Sequence, residues 1–329
     1  MNTQRSTTMQ YANLGNTGTK VSRICIGGFT FGNKNEWEVR LDPARLIINR
    51  ALDLGITFFD TANEYSQGRS EEIVGECLKG ARDDVIIATK VFYPMGSRPN
   101  QRGLSRIHIL QQIKGSLERL QTDYVDLYQT HRWDYETPIE ETLRALDNLV
   151  QKGKVRYIGG STMYAWEFAK ALFTSDRLGL ERFTNMQNHY NLVYREEERE
   201  MNPLCEDQNI PLIPYSPLAG GFLTGQYKRE ETVNSPRSRF SSMGKWYFHP
   251  NDFDILDRLI EMATEKDVKP AQLALAWILH RKNVAAPIIA ASRVEHVDDA
   301  VEALEIKLSP DDMNRLEELY QPHFHLGIE

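Results

Sequence analysis

The apolar run Phe58-Phe59 stops at a carboxylate, Asp60, and a phenol, Tyr65, follows five residues later in polar surroundings. The ordinary reading is that Asp60 caps a loop and Tyr65 packs beside it. Other apolar runs end in the same way, at Lys90, just before His131, and at Ser161, Gln187, Tyr215 and Ser292. An acid, an amine, an imidazole and a phenol are a set suited to proton transfer. A phenol has an ordinary pKa of about 10 and is a weak acid at neutral pH, but an ammonium beside it favours the phenolate. A buried lysine needs a counter-charge, which Asp60 could supply. A histidine can donate a hydrogen bond that orients a carbonyl oxygen. Together the four would polarise a carbonyl and hand it a proton. The set contains no strong nucleophile and no metal-binding spacing, so the carbon must receive its new bond from a cofactor.

The elements that must carry these residues read as alternating strands and helices. Two short strands, 10–13 and 20–23, flank Leu14-Gly15-Asn16-Thr17-Gly18 as a hairpin. Strands are then expected at 24–26, 56–59, 85–88, 124–128, 155–158, 184–186, 211–214 and 285–290. Between them the sequence predicts helices opened by Asp42-Pro43, by Ser70, by Ser105 and by a Thr137-Pro138-Ile139-Glu140 capping box. Further helices are expected at 164–177, 196–208, 253–266, 270–281, 294–304 and 310–320, the one at 294 with Ser292 and Glu295 spaced as a capping box. Eight βα units with short connections fit a closed (β/α)8 TIM barrel with an N-terminal β-hairpin and extra C-terminal helices. The C-terminal strand ends of such a barrel converge on one mouth, which would bring residues remote in sequence together. A doubly wound open sheet is the alternative, but Gly27-Gly28-Phe29-Thr30-Phe31-Gly32 does not match the glycine fingerprint of dinucleotide-binding sheets. The one long connection, 217–250, is rich in glycine and basic residues, as functional loops often are.

The 329 residues are read as one domain, with residues 1–9 expected to be flexible. A formal net charge of −7 argues against general binding to nucleic acid or to membrane surfaces, and no apolar run is long enough to cross a bilayer. The first ten residues lack the apolar core of a signal peptide. The three cysteines, Cys25, Cys77 and Cys205, lie far apart with no C-x-x-C, which fits reduced thiols in a cytoplasmic protein.

Several stretches resemble the aldo-keto reductase family: Gly55-Ile56-Thr57-Phe58-Phe59-Asp60-Thr61-Ala62-Asn63-Glu64-Tyr65, Ile87-Ala88-Thr89-Lys90, Leu117-Glu118-Arg119-Leu120-Gln121-Thr122-Asp123-Tyr124-Val125-Asp126-Leu127, Gly159-Gly160-Ser161, Gln187-Asn188-His189-Tyr190-Asn191 and Tyr215-Ser216-Pro217-Leu218. The resemblance runs from Tyr11 to Leu319 and implies a (β/α)8 barrel that uses NADPH, with NADH possible, without the glycine fingerprint. Its catalytic tetrad falls on Asp60, Tyr65, Lys90 and His131, with Tyr65 as general acid, Lys90 and Asp60 tuning it, and His131 orienting the carbonyl. Ser161, Thr162 and Gln187 match the positions around the nicotinamide carboxamide, and Tyr215 matches the ring stacked on the nicotinamide. Gly28, Phe29, Ser216, Pro217, Leu218, Gly220, Gly221 and Arg239 are likewise assigned to the cofactor, the 218–225 stretch to its pyrophosphate. Ser292, Arg293 and His296 match the adenosine 2′-phosphate and adenine end.

Two departures stand out. Thr162 replaces the family's usual Asn, and Ala300 replaces another. The partner implied is a small aldehyde or ketone whose identity and preferred direction the sequence leaves open, as it does the oligomeric state. Phe29, Trp37, Tyr93, Trp133 and Trp246 are candidates to line an apolar substrate pocket. The same family contains potassium-channel β-subunits, so a regulatory binding subunit is the alternative to a reductase.

Overall fold

The computed structural model describes residues 8–229 and 246–324. Strands β1 (Tyr11–Asn13) and β2 (Lys20–Ser22) pair antiparallel, with Tyr11 opposite Ser22. Seven parallel strands follow: β3 (Cys25–Gly27), β4 (Phe58–Asp60), β5 (Ile86–Val91), β6 (Val125–Thr130), β7 (Val155–Ser161), β8 (Phe183–Gln187) and β9 (Ile288–Ile289). Their order is β8-β7-β6-β5-β4-β3-β9. The gap between β8 and β9 is filled by residues 211–215. Leu212 bridges in parallel to Met186 on one side and to Val284 on the other, and Ile288 N donates to Pro214 O at 2.8 Å. The result is a closed barrel of eight members.

Two expected strands are thus shorter than the sequence predicts. Residues 211–214 form bridges rather than a ladder, and 285–290 contracts to Ile288–Ile289. Pro211, Pro214 and Pro287 have no N–H to give to a ladder, so pairing continues only through their carbonyls and neighbours.

The helices are α1 (Leu41–Asp53), α2 (Arg69–Leu78), α3 (Arg106–Leu120), α4 (Ile139–Gln151), α5 (Ala165–Leu178), α6 (Met201–Asp207), α7 (Pro250–Glu265), α8 (Pro270–His280), α9 (Glu295–Glu302) and α10 (Pro310–Glu317). Ser105 caps α3 as expected, accepting from His108 N. Other starts differ. Helix α1 begins at Leu41 with Arg40 as cap, ahead of Asp42. Helix α4 is capped by Pro138, because the Thr137 hydroxyl is already used by Asp134 at 2.8 Å. Helix α9 is capped by Val294, and the Ser292 hydroxyl faces His296 instead of the helix. The expected helix at 196–208 is a 3-10 turn followed by the short α6.

The barrel interior is apolar at its lower end. Phe58, Ala88, Leu127 and Ile213 meet Leu14 and Val21 there, so the hairpin plugs the barrel. A larger apolar shell lies between the strands and the helices. Met9, inside the stretch expected to be flexible, is buried against this shell, its side chain near Gly55.

Helix α5 ends on Gly179 at φ +62°, whereas α3 ends on Gln121 at φ +53°. A side chain at such a left-handed position is strained, and glycine is not. Gln121 is exposed and makes one long hydrogen bond to Glu76, at 3.3 Å. The Gln121→Gly substitution is expected to stabilise the fold by about 0.5–1 kcal/mol, the relief of strain outweighing the added freedom of the unfolded chain. Urea unfolding followed by circular dichroism measures it; a lower midpoint than wild type would contradict the strain argument.

Candidate active site

Inward-facing positions alternate along each strand. Two residues above the apolar layer of Phe58, Ala88 and Leu127 stand Asp60, Lys90 and Gln129. The register pairs Lys90 directly with Gln129 and Ser161 with Gln187. A polar layer therefore sits on the apolar plug at the C-terminal ends of the strands.

Lys90 is fully buried. Its Nζ lies 2.5 Å from Asp60 Oδ2, 2.9 Å from Thr61 O and 3.2 Å from Tyr65 Oη. The other Asp60 oxygen, Oδ1, accepts from Gln129 Nε2 at 3.1 Å and from Gln187 Nε2 at 2.9 Å. Asn185 Nδ2 in turn donates to Gln129 Oε1 at 2.9 Å. Gly159 is what makes room for this amide: a Cβ there would fall 2.0 Å from Asn185 Oδ1. Burial alone would favour the neutral amine of Lys90, but the Asp60 charge beside it wins, and its pKa is held above the ordinary lysine value.

Tyr65 opens a short turn after β4 and places its ring edge-on to His131, with centroids 5.7 Å apart. Burial pushes its phenol up to about 12; the Lys90 charge pulls the other way but does not offset the burial. The sequence argument that an ammonium would lower this pKa gives the right direction for Lys90 alone and the wrong net sign. His131 is buried, with Nδ1 lacking any protein partner, and burial followed by the Lys90 and Arg132 charges holds it neutral, well below the ordinary histidine value. Phe29 lies edge-on to Tyr65 at 5.3 Å and stacks on Trp37 at 5.5 Å, while Tyr93 lies edge-on to His131 at 5.0 Å. Of the five expected pocket aromatics, Phe29 and Tyr93 thus pack on the tetrad and Trp37 backs Phe29. Trp133 pairs instead with Trp166, and Trp246 with His189.

Gly28 follows the C-terminal end of β3, packed on Ser70 and the Asp60 carbonyl. Ser161 and Thr162 are buried at the end of β7, their hydroxyls 3.1 Å apart, and Thr162 N donates to Gln187 O. Thr162 has φ +46°, a left-handed conformation that costs a β-branched residue more than the Asn it replaces. Gln187 has its amide nitrogen committed to Asp60, so only its amide oxygen is left for a ligand.

Tyr215 stacks on His189, with centroids 5.2 Å apart and planes 10° apart, and His189 stacks on Tyr194 at 4.3 Å. Burial pushes His189 down to about 3, so this ring is neutral. Beyond Tyr215 the backbone turns repeatedly through positive φ, at Ser216, Ala219, Gly220 and Gly221, around Pro217 and Leu218. Asn191 Nδ2 holds this turn through Ser216 O at 3.0 Å. Such turned backbone forms anion-binding nests. At the end of β9, Ser292 Oγ and Arg293 Nη2 lie 3.4 and 3.1 Å from the two ring nitrogens of His296. Among the described residues, no carboxylate lies within ion-pair distance of Arg293. Ala300 is fully buried in the core. Arg239, and Arg237 with it, lies outside the described residues.

Three supporting residues were not foreseen in these roles: Gln129, which holds Asp60, Asn185, which holds Gln129, and His189, which backs Tyr215. The first two carried a signal in their spacing, each two residues before a named site residue and so on the same face of its strand.

Residues 23–321 match the profile of the Aldo/keto reductase family. A provisionally named aryl-alcohol dehydrogenase of Schizosaccharomyces pombe is 41% identical, covering 95% of this chain and 96% of its own. A versiconal hemiacetal acetate reductase of Aspergillus parasiticus is 39% identical over 95% and 98%, and an aldo-keto reductase of Metarhizium robertsii is 38% identical over 96% and 92%. With its closed barrel, its match over 23–321 and relatives aligned over nearly their full lengths, the chain belongs to the aldo/keto reductase family of oxidoreductases.

Proposed function

We propose that the protein is an NADPH-dependent carbonyl reductase in which Tyr65 delivers the proton. The observation that carries this reading is the chain Asp60–Lys90–Tyr65 beside a neutral His131. With its pKa near 12 the phenol is protonated at neutral pH, so the acid starts loaded. Lys90, 3.2 Å away, stabilises the phenolate as the proton leaves. Asp60 keeps that ammonium charged and in place, and the amides of Gln129 and Gln187 keep Asp60 in place. His131 has no cationic form to offer near neutrality, so it acts as a neutral hydrogen-bond donor to the carbonyl oxygen.

The surrounding residues fit a nicotinamide cofactor. The flat face of Tyr215 supports the nicotinamide ring, and Ser161, Thr162 and the Gln187 amide oxygen bracket its carboxamide. The turned backbone at 216–221 receives the pyrophosphate. Ser292, Arg293 and His296 receive the 2′-phosphate; Arg293, free of a carboxylate among the described residues, favours NADPH over NADH. The cofactor supplies a hydride from its nicotinamide C4. The rings of Phe29, Trp37 and Tyr93 suit a flat aryl aldehyde or ketone, in line with the aryl-alcohol name of the Schizosaccharomyces pombe relative.

Tyr65→Phe removes the acid and leaves the ring. Its turnover with an aryl aldehyde, followed by loss of NADPH absorbance, is expected to fall about 10²–10⁴-fold while NADPH still binds. Reduction at the wild-type rate would sink the assignment. Arg293→Ala is expected to weaken NADPH binding about 10–100-fold, the worth of a charge-assisted contact, and to leave NADH binding nearly unchanged. Fluorescence titration with each cofactor checks this; unchanged NADPH affinity would remove Arg293 from the site.

A further inference from the structure

A second cluster of ligating side chains lies away from the polar layer of the barrel, where the chain enters α7. His249 caps that helix, Asp252 lies in its first turn, and His323 lies in the stretch that follows α10. One ligating atom from each residue lies within 4.8 Å of the other two. The Asp252 carboxylate is fully buried. One of its oxygens, Oδ2, accepts from His249 N at 3.0 Å. The other, Oδ1, is buried and makes no hydrogen bond, although His323 Nε2 lies only 3.1 Å away. The distance suits a hydrogen bond and the alignment does not. Ligands sharing one tetrahedral cation at ordinary zinc distances stand about 3.3 Å apart, each aimed at the metal rather than at its neighbour. The His323 side chain is only 9% exposed, so two of the three ligands are already desolvated. His249 is exposed, which leaves a solvent-facing side for a water.

The donors are also held from behind. His323 N and Tyr320 Oη both donate to Glu196 Oε1, at 2.8 and 2.7 Å. Asn251, inside the first turn of α7, donates from Nδ2 to Leu319 O and accepts from Gln321 N. The 319–323 stretch is therefore docked on the start of α7 before any cation is considered, and little ordering remains to oppose binding.

We propose that His249, Asp252 and His323 form a site for a divalent transition metal, zinc being the best match to two imidazoles and one carboxylate. The metal would tie the stretch after α10 to the start of α7, the helix that follows the long 217–250 connection. It would be structural, since rings connect it to the catalytic mouth only at a distance: His323 to Tyr194, Tyr194 to His189, His189 to Tyr215.

The test is calorimetric titration of Zn²⁺ into chelator-treated, full-length protein carrying no affinity tag. One equivalent is expected to bind with micromolar or tighter affinity, and His249→Ala and His323→Ala are each expected to weaken it by more than about tenfold. His249 is exposed, so its removal cannot lose the metal by unfolding the protein; a thermal melt of each metal-free variant confirms the fold. Zn²⁺ should raise the melting temperature of wild type but not of His249→Ala. Sub-stoichiometric binding, or His249→Ala binding Zn²⁺ as wild type does, would overturn the proposal and leave Asp252 and His323 as a plain buried contact.

Discussion

Everything at the mouth of this barrel depends on one buried ion pair, Lys90 with Asp60. The Lys90 side chain is 0% exposed and that of Asp60 3% exposed, so neither charge has water to fall back on. Desolvation of such charges costs several kcal/mol each, and the attraction between them offsets that only if the remaining donors and acceptors are used. Here they are. Lys90 also donates to Thr61 O and Tyr65 Oη, and Asp60 Oδ1 takes two amide hydrogens. Removing either partner would strand the other charge, a loss of about 3–5 kcal/mol. The pair is thus at once a stability risk and a fixed electrostatic element, held still by strands that cannot shift register without turning their inward faces outward.

The barrel supplies what the pair needs by simple alternation. Phe58, Ala88 and Leu127 fill the layer that the N-terminal hairpin closes, and the residues two positions further on are polar. The apolar layer excludes water from below, while the rings of Phe29 and His131 pack against that of Tyr65 and Tyr93 packs on His131. Low local polarity strengthens each contact of Lys90 and raises the Tyr65 pKa by the same means. The two effects cannot be separated in this architecture.

Much of this was legible in the sequence because strand ends are visible there. Asp60, Lys90, Ser161 and Gln187 each interrupt an apolar run, and a parallel barrel brings such interruptions to one mouth. What the sequence hid were the relations among them. Gln187 reads as a ligand-facing amide, yet its nitrogen is taken by Asp60, and nothing local to position 187 points to a carboxylate 127 residues away. Gln129 and Asn185 read as ordinary polar strand residues, yet they meet across the strand between them, where Gly159 stands opposite Gln129 and leaves the space. The prolines at 211, 214 and 287 were in plain view, and their lack of N–H groups explains why two expected strands shrank. The helix caps were misread for a local reason: Thr137 and Ser292 had nearer partners in Asp134 and His296 than their helix backbones.

The balance at Tyr65 bears on direction in the proposed chemistry. Burial opposes the phenolate and Lys90 favours it, and with the protein groups alone burial prevails, leaving the phenol protonated across the neutral range. For carbonyl reduction this is the useful state, because the acid is loaded before the oxygen becomes basic. An alkoxide forming within reach of Tyr65 is a far stronger base than a phenolate, so the proton moves downhill as the negative charge appears. Lys90 then sits 3.2 Å from the new phenolate, where an ammonium is most useful. Alcohol oxidation must begin from the opposite state, with the phenolate formed first against its own desolvation. A phenol is protonated at neutral pH even at its ordinary pKa, so what burial adds is a further cost to the phenolate, which the Lys90 charge offsets only in part.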